Sequence, residues 1–499
     1  MIGKISIGCK GVVSDHQLAT QVGVEILKNG GNAFDAAIAV SAVLSVVQPH
    51  MGGPGGDAFI LGFIGDDVVA YASSGRSPGG FNAEEYLKTK PTRGPLTVTV
   101  PGLVYLWGQI HDEYATMSLE NLLKPAIKLA YEGFHVGSSL SEASKSSERE
   151  LEQYRWAKYF KGLKLGEVYR NKEMARTLRM IASKGYEEFY YGELAEIIVR
   201  ELQDQGVNIG LDDLMEHEGG KVTPLKLEID NLALYELPPN TQGISTLQLI
   251  SAIYELDFNK ETFENPNRIA KWSKPVKDVY LFRDLFLGDP DYMKIDPQAY
   301  VKYSSLSVLP PENNYESSKS GGDTTFFIVS DGEAIVGFIQ SLYLSFGSGL
   351  VASGFPVQNR AIGFAKNEGL PNSPAPRKLP LHTLSILGVD AGDAKYIIGC
   401  VGGDMRPQLH LRVFENIFTY NMRIDKAVAA PRFIYTKPYD GQELVIEQPL
   451  MQPGNLSEYI HVNVVGYGEL RGHVHVGLLK GGTLFLSCDP RSEGIPLSF

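Results

Sequence analysis

Two helices with different surface patterns are predicted at the start of the chain. Residues 17–29 form the first, which Ser14 can cap and Gly30 ends. Asn32 can cap a second helix over residues 33–47, which is apolar on nearly every side. A helix without a polar face must be surrounded by other elements. We therefore expect residues 33–47 to be buried in the folded protein.

Segments rich in β-branched and aromatic residues predict strands, and these strands come in pairs. Residues 58–64 and 68–72 predict one hairpin, and residues 324–330 and 334–342 predict another around an Asp-Gly turn. Strands and helices come in runs rather than in strict alternation, which favours an α+β fold with antiparallel sheets covered by helices. Further strands are predicted at residues 96–100, 222–229, 232–237, 381–389, 395–401, 462–465, 473–479 and 483–488, and further helices at residues 103–113, 119–131, 172–184, 193–205, 244–256, 275–287 and 405–422.

Composition and charge narrow the classes of function. The chain has 499 residues, of which 43% are hydrophobic and 21% charged, which is typical of a globular protein with a sizeable core. Its formal net charge is -12 and it has no run of lysines and arginines, so neither nucleic acid nor an anionic membrane is expected as the main partner. No apolar run reaches about 18 residues, so no membrane span is expected.

The N-terminus and the cysteines indicate in which cellular compartment the protein is expected. The first residues lack the apolar stretch of a secretory signal. The three cysteines, Cys9, Cys400 and Cys488, are odd in number and widely spaced. They fit reduced, buried thiols better than a disulfide framework or a zinc site. We therefore expect a cytoplasmic protein without a metal centre.

A polar, glycine-bearing stretch at residues 316–322 leads abruptly into a predicted strand. Asp323 stands at this junction and is followed by Thr324 and Thr325. If the bond between Asp323 and Thr324 were cut, Thr324 would carry a free α-amine beside its hydroxyl. That amine can be the base that activates the hydroxyl as a nucleophile. The alternative is an ordinary loop that leads into a strand.

Two other segments invite a functional interpretation. Residues 52–56 read Gly-Gly-Pro-Gly-Gly, which indicates tight turns or a close approach of the backbone to another group. No Lys-Ser or Lys-Thr pair follows, so this is not a phosphate-binding loop, and no cofactor is expected. A later loop presents Arg76, whose guanidinium would suit an anionic substrate. The alternative is a solvated surface arginine.

A series of short motifs runs along the chain in a fixed order. Each motif is weak evidence alone. With this number of motifs in this order, the chain resembles the γ-glutamyltransferase family of N-terminal-nucleophile hydrolases nearly from end to end. The motifs are residues 13–19 (Val-Ser-Asp-His-Gln-Leu-Ala), 30–37 (Gly-Gly-Asn-Ala-Phe-Asp-Ala-Ala), 52–59 (Gly-Gly-Pro-Gly-Gly-Asp-Ala-Phe), 100–102 (Val-Pro-Gly), 125–130 (Pro-Ala-Ile-Lys-Leu-Ala), 133–134 (Gly-Phe), 237–239 (Leu-Pro-Pro), 287–290 (Leu-Gly-Asp-Pro) and 488–491 (Cys-Asp-Pro-Arg).

The resemblance implies a four-layer αββα sandwich and self-cleavage of an inactive precursor. The cut would fall between Asp323 and Thr324, giving a large fragment of residues 1–323 and a small fragment of residues 324–499. The two fragments would stay associated because the cut lies inside one shared core.

The same resemblance assigns catalytic roles. Thr324 would be the nucleophile in self-processing and in catalysis, with Thr325 as a supporting residue and Ser341 as a hydroxyl that hydrogen-bonds the nucleophile. The backbone amides of Gly402 and Gly403 would hold the oxyanion, since glycine lets the backbone approach closely. The alternative for this glycine pair is a turn between a strand and a helix.

Substrate recognition departs from the family pattern. Tyr343 stands where typical members have an asparagine that binds the substrate's α-amino group, and Ile362 and Gly363 replace an acidic pair. His382 and Thr383 fall in place of a Ser-Ser-Met run that grips the α-carboxylate. A buried ammonium group without anionic partners is costly. These departures argue against an amino acid as the acyl group.

The same positions resemble a γ-glutamyltransferase-like subgroup that includes oxamate amidohydrolase. An anionic acyl group without an amine would suit Arg76, Arg360 and His382 as pocket residues, although each could equally be structural. Arg76 matches the family's carboxylate-binding arginine only if a gap is allowed. Tyr343 and Thr383 complete the candidates for substrate binding.

The functional expectation is an autoprocessed hydrolase or acyltransferase that cleaves a γ-glutamyl or similar small acyl amide through an acyl-enzyme. A non-glutamyl amidohydrolase of the oxamate type is one alternative, and a catalytically silent scaffold on the same fold is another. The acyl group, the acceptor and the oligomeric state are left open, higher oligomers included.

Overall fold

The computed structural model describes residues 3–309, 322–436, 442–450, 461–470 and 472–499. Most of the polar stretch before the expected cleavage point, residues 316–321, lies outside these ranges. In chain order the strands are β1 (Lys4–Gly8), β2 (Gly11–Ser14), β3 (Asp57–Ile64), β4 (Asp67–Ser73), β5 (Phe134–His135), β6 (Val168–Tyr169), β7 (Gly220–Lys221), β8 (Leu225–Ile229), β9 (Leu232–Glu236), β10 (Asp323–Ser330), β11 (Ala334–Tyr343), β12 (Val351–Ala352), β13 (Phe355–Pro356), β14 (Leu387–Asp390), β15 (Ala394–Val401), β16 (Phe433–Tyr435), β17 (Glu443–Glu447), β18 (His461–Val465), β19 (His473–Lys480), β20 (Thr483–Cys488) and β21 (Ile495–Ser498). The α-helices are α1 (Gln17–Lys28), α2 (Ala33–Val47), α3 (Ala83–Thr89), α4 (Leu103–Tyr114), α5 (Leu119–Glu132), α6 (Ser138–Leu151), α7 (Trp156–Phe160), α8 (Lys172–Lys184), α9 (Glu193–Gln203), α10 (Leu211–Met215), α11 (Gly243–Glu255), α12 (Pro266–Lys271), α13 (Ser273–Phe286), α14 (Arg406–Phe414) and α15 (Ile424–Ala429).

Two seven-stranded antiparallel sheets form the centre of the molecule. The first has the order β1-β20-β19-β15-β14-β9-β8 and the second the order β21-β2-β10-β11-β3-β4-β7. The sheets pack on each other through apolar side chains from both, such as Phe59, Phe326, Ile397 and Leu486. The packing is close, because a methyl group built on Gly399 would lie 2.3 Å from the Phe326 ring.

Helices cover the outer face of each sheet. One helical core surrounds α2 on the second sheet, and another includes α11, α13 and α14 on the first. All fifteen residues of α2 are buried, as its apolar pattern predicted. The four layers confirm the predicted αββα sandwich and its α+β class. Each sheet takes strands from both sides of residue 323, so the segments before and after it form one core.

The ends of the first two helices differ in how well the sequence predicted them. Asn32 caps α2 through a reciprocal pair of hydrogen bonds with Asp35, as expected. The cap of α1 is His16, whose Nδ1 accepts a hydrogen bond from the backbone of Leu18. Ser14 was the predicted cap, but it lies in β2 and its hydroxyl donates to the carbonyl of His16.

Two predicted elements are shorter than expected. The strand predicted at residues 381–389 is confined to β14, because the backbone of His382 bonds to Asn240 and Gln242 instead of to a neighbouring strand. The helix predicted at residues 405–422 gives way to a π-helical turn after α14. The strand predicted at residues 96–100 is absent, because Pro95–Thr97 form a 3-10 turn whose hydrogen bond Val98 donates. The other strands and helices named from the sequence are present, with ends that differ by a few residues.

Neither disulfides nor membrane spans contribute to the described part of the chain. All three cysteines are free; Cys400 and Cys488 are buried as predicted, whereas Cys9 is exposed. Within the described ranges, no helix combines the length and the apolar character that crossing a membrane requires.

A buried cluster of charged side chains links the N-terminal segment to the second half of the chain. Asp15 Oδ1 lies 2.6 Å from Nε2 of His473 and 2.9 Å from Nε2 of His475. The other Asp15 oxygen accepts a hydrogen bond from the backbone N–H of Phe326, 2.9 Å away. An aspartate and two histidines are also residue types that bind metal ions. The two distances are those of hydrogen bonds, so we interpret the cluster as an ion pair that fixes β10.

The ionisation of this cluster is set by its members. Burial alone would raise the pKa of Asp15, but the charges and hydrogen bonds of His473 and His475 hold that pKa well below its ordinary value. Burial would lower the pKa of His475, yet its neighbours Cys488 and Asp15 raise it well above the ordinary value. Asp15 therefore stabilises the fold above about pH 4, and His475 does so until the pH rises through its raised pKa.

We expect Asp15→Asn to lower the free energy of unfolding by about 3–5 kcal/mol near neutral pH, because it leaves a buried imidazolium without its partner. The loss should shrink at alkaline pH as His475 becomes neutral in both proteins. Chemical denaturation at a series of pH values measures it. Asp66→Asn is the control, because Asp66 pairs with Lys395 at the surface and should contribute less than about 1 kcal/mol. Equal losses in the two variants would contradict the prediction.

Candidate active site

Thr324 is the second residue of β10, in the middle of the second sheet. Its side chain is almost completely buried, and its hydroxyl donates a hydrogen bond to the Ser341 hydroxyl 3.2 Å away. Asp323 and Thr324 are consecutive residues of β10. The Thr324 nitrogen is an amide in the uncut chain, and the hydroxyl is its reactive group.

Ser341 connects this hydroxyl to the bond that would be cut. Its own hydroxyl accepts hydrogen bonds from Thr324 and from the backbone N–H of Tyr343, the latter at 2.8 Å. It donates to the carbonyl oxygen of Asp323 at 2.9 Å. The register between β10 and β11 shifts here, since Asp323 faces Tyr343 while Thr325 faces Gln340. Such a bulge is a common way to aim side chains at a reactive site.

Thr325 occupies the next position in β10. It is fully buried, and its hydroxyl finds no hydrogen-bond partner among the described residues. The structure therefore shows no hydrogen bond between the Thr325 hydroxyl and Thr324. The supporting role of Thr325 stays a prediction.

The glycine pair lies at the end of β15, where the chain turns into α14. Gly403 has φ of 53°, in the left-handed region that glycine adopts without strain. A methyl group built on Gly322 would lie 3.1 Å from the Cα of Gly403 and 3.7 Å from its nitrogen. The pair is thus beside the residue that precedes Asp323. The position is compatible with backbone donors for an oxyanion, and the strand-to-helix turn is present as well.

Arg406 is a site residue that sequence analysis missed. It is fully buried at the start of α14, and Nη2 lies 3.5 Å from the Thr324 hydroxyl oxygen. Its other nitrogens donate to the carbonyls of Cys400 and Thr383. Burial lowers its pKa, but it stays a cation at neutral pH. The signal available in the sequence was its position just after the glycine pair.

Gln242 is a second missed residue. Its Nε2 donates to the carbonyl of Thr383 at 2.8 Å and to that of Gly403 at 3.0 Å, and Arg283 Nη1 donates to its Oε1 at 2.9 Å. This buried amide ties the glycine pair to the segment around Thr383. Thr383 therefore contributes to the site through its backbone carbonyl.

His382 was a candidate for substrate binding, and the structure shows it engaged in a buried pair. Its Nδ1 accepts a hydrogen bond from Leu384, so Nε2 carries the hydrogen and donates to Asp57 Oδ2 at 3.1 Å. Burial and the charges of Arg360 and Arg406 hold its pKa well below the ordinary value. His382 is thus a neutral imidazole that orients Asp57.

The two candidate arginines have different surroundings. Arg76 is about 42% exposed, and its guanidinium binds Asp289 at 2.6 Å and Asp291 at 3.0 Å. Arg360 is fully buried, with its guanidinium carbon 4.2 Å from the centre of the Tyr343 ring. Tyr343 faces Asp323 across the strand pair, so Arg360 packs on a residue that faces the expected cut. Arg76 is instead held by two carboxylates, the buried Asp289 and the exposed Asp291.

The chain was compared with known families and structures. It matches the gamma-glutamyltranspeptidase family over residues 19–497. It is 34% identical to the glutathione hydrolase-like YwrD proenzyme of Bacillus subtilis (strain 168) over 99% of both chains, and 30% identical to the oxamate amidohydrolase proenzyme of Klebsiella pneumoniae subsp. pneumoniae over 97% of both. The crystal structure of cephalosporin acylase from Bacillus halodurans is similar, with a TM-score of 0.88 and 26% identity over 100% of this chain and 96% of that one. The chain therefore belongs to the gamma-glutamyltranspeptidase family, as its motifs predicted, and is an enzyme that acts on amide bonds.

Proposed function

We propose that the chain is an autoprocessed N-terminal threonine amidohydrolase or acyltransferase that works through an acyl-enzyme. The observation that carries the proposal is the run of contacts from the Thr324 hydroxyl to Ser341 and on to the carbonyl oxygen of Asp323. These contacts join the attacking group to the bond that is to be cut. The names of two similar proteins include the word proenzyme, which supports processing here as well.

In the self-cleavage step, the Thr324 hydroxyl oxygen attacks the carbonyl carbon of Asp323. The bond from that carbon to the Thr324 nitrogen breaks, the nitrogen takes up the hydroxyl proton, and an ester replaces the amide. Water then hydrolyses the ester and leaves the Asp323 carboxylate, the Thr324 hydroxyl and a free α-amine. Ser341 assists because it donates a hydrogen bond to the carbonyl oxygen, where negative charge develops.

The free α-amine is the base of the second reaction. It accepts the hydroxyl proton as Thr324 attacks the carbonyl carbon of a small amide. The backbone amides of Gly402 and Gly403 stabilise the oxyanion, and the nearby Arg406 adds positive charge. The leaving nitrogen takes the proton, and the acyl group passes from Thr324 to water or to an amine acceptor.

The two fragments are expected to stay together after the cut. Each central sheet takes strands from both residues 1–323 and residues 324–499, so separation would open both sheets and the core between them. A γ-glutamyl amide or a similar small acyl amide is the substrate that family membership supports.

A non-glutamyl amide is the second candidate, and one observation favours it. Tyr343 takes the position of the amine-binding asparagine, and its ring packs against the buried cation of Arg360. A site with this cation suits an anionic acyl group better than one with an ammonium. The similarity to oxamate amidohydrolase is in line with this choice.

Incubation of the purified protein with γ-glutamyl-p-nitroanilide and, separately, with oxamate tests the proposal. We expect a denaturing gel to show two fragments, with the small one beginning at Thr324, and we expect that protein to release p-nitroaniline or ammonia. A single full-length band together with no turnover of either compound would instead identify a catalytically silent scaffold.

A further inference from the structure

Arg360 is buried in an unusual state. Its side chain has no exposed surface, and none of its three guanidinium nitrogens finds a hydrogen-bond acceptor among the described residues. Burying a charged donor group without an acceptor costs several kcal/mol. A buried group in this state needs an explanation, and a bound ion of opposite charge is one that would satisfy all three donors.

The carboxylate whose charge acts most strongly on Arg360 is bonded to other donors. Asp57 accepts hydrogen bonds from the backbone of Gly75 and of Gly102, from the side chain of Gln358, and from His382. Burial raises the pKa of Asp57 to about 7, and the charge of Arg360 opposes that rise. The charge of Asp57 thus partly compensates the charge of Arg360, but no oxygen of Asp57 accepts a hydrogen bond from it.

Arg360 also contacts a residue that faces the expected cleavage site. Its guanidinium rests on the ring of Tyr343, which faces Asp323 in the precursor. The charges of Arg406 and Asp404 influence its pKa, which burial lowers to about 10, so it remains a cation at neutral pH. Asp323 occupies the strand position opposite Tyr343 until the chain is cut. Cleavage would therefore free space beside this cation.

We propose that Arg360 binds the carboxylate of the acyl group, and that the substrates are small amides whose acyl group carries a carboxylate and no ammonium. This rests on the proposed amide hydrolysis at Thr324. A guanidinium can bind a carboxylate through two parallel hydrogen bonds, which satisfies buried donors that are otherwise unpaired. An ammonium on the same acyl group would be close to the cations Arg360 and Arg406. It would also lack the acidic pair of typical family members, whose positions Ile362 and Gly363 take.

A set of matched amides tests this substrate class. Oxamate, succinamate and glutaramate carry the carboxylate, and acetamide, butanamide and pentanamide have a methyl group in its place. L-asparagine and L-glutamine add an ammonium to succinamate and glutaramate. We expect ammonia release from the best carboxylate-bearing amide to exceed that from its neutral and ammonium-bearing counterparts at least about tenfold in kcat/KM. Equal rates within a matched set would overturn the inference.

Arg360→Gln should remove the preference, lowering kcat/KM about 10- to 100-fold for the carboxylate-bearing amide and far less for its neutral counterpart. Arg412→Gln is the matched control, because Arg412 is equally buried and stacks 4.1 Å from the Phe433 ring, in the separate core below the first sheet. It should reduce stability but keep the preference. A uniform loss for all amides in Arg360→Gln would mean that Arg360 has a structural role only.

Binding separates failure of this inference from failure of the proposed function. Glutarate should raise the melting temperature of the wild-type protein, the neutral diamide glutaramide should not, and Arg360→Gln should abolish the glutarate effect. This pattern without any hydrolysis would support the anion site and refute amide cleavage. Hydrolysis without any glutarate effect would overturn the anion site. If Arg360→Gln does not fold, Arg360→Lys is the second variant: it keeps the charge but cannot form two parallel hydrogen bonds, so it should weaken the glutarate effect, and an unchanged effect would contradict binding by the guanidinium.

Discussion

Thr324→Ala is expected to leave the precursor whole and to abolish catalysis. The variant lacks the hydroxyl that attacks the carbonyl of Asp323, and without the cut no α-amine forms to act as base. We expect a single band of 54.7 kDa where the wild type, divided in the ratio 323:176, gives bands of about 35 and about 19 kDa. Amide hydrolysis should fall by at least about 10⁴-fold.

Thr324→Ser is the matched control for this result. It keeps the hydroxyl and the contact with Ser341, and it should still cleave itself, although more slowly. Mass spectrometry of the small fragment then identifies its first residue. Two fragments from Thr324→Ala would disprove the assignment of the nucleophile, and so would a fragment that begins elsewhere in the chain.

Ser341→Ala is expected to slow self-cleavage by about 10²- to 10³-fold, the effect of removing one donor from a developing oxyanion. The hydroxyl of Ser341 is both the acceptor for Thr324 and the donor to Asp323, so its loss affects the attacking oxygen and the attacked carbonyl together. The fraction of full-length band at intervals after purification measures the rate.

Ser348→Ala provides a close control in the same half of the chain. Ser348 is also fully buried, accepts a hydrogen bond from the backbone two residues later, and donates to a carbonyl, that of Val357 at 2.7 Å. Its replacement should reduce stability to a similar degree, by about 1–3 kcal/mol, and leave the rate of self-cleavage near that of the wild type. Similar rates in the Ser341 and Ser348 variants would show that Ser341 acts through stability alone.

The structure distinguishes the candidate anion-binding residues by whether each already has a partner, which the sequence could not show. Arg76, Arg360 and His382 were equivalent as possible anion-binding groups. In the structure Arg76 is paired with Asp289 and Asp291, and His382 is paired with Asp57, which leaves Arg360 as the candidate whose hydrogen-bond donors have no partner among the described residues. Specificity therefore depends on pairings between residues far apart in the chain.

The sequence by itself determined the elements and the family. The apolar pattern of α2, the Asp-Gly turn between β10 and β11, and the ordered motifs are local signals, because periodicity and turn chemistry act over a few residues. These signals predicted antiparallel sheets covered by helices, and the resemblance of the motifs to the family implied the αββα layers and the role of Thr324.

The tertiary structure decided which side chains meet. Arg406 reaches Thr324 across 82 positions, Gln242 reaches Gly403 across 161, and Asp15 reaches His475 across 460. No local pattern marks such contacts, because a buried polar group is satisfied by whichever partner the packing of the sheets and helices brings within hydrogen-bond distance. The sequence thus proposed Thr324 as the attacking residue, and the fold set the charges and donors around it.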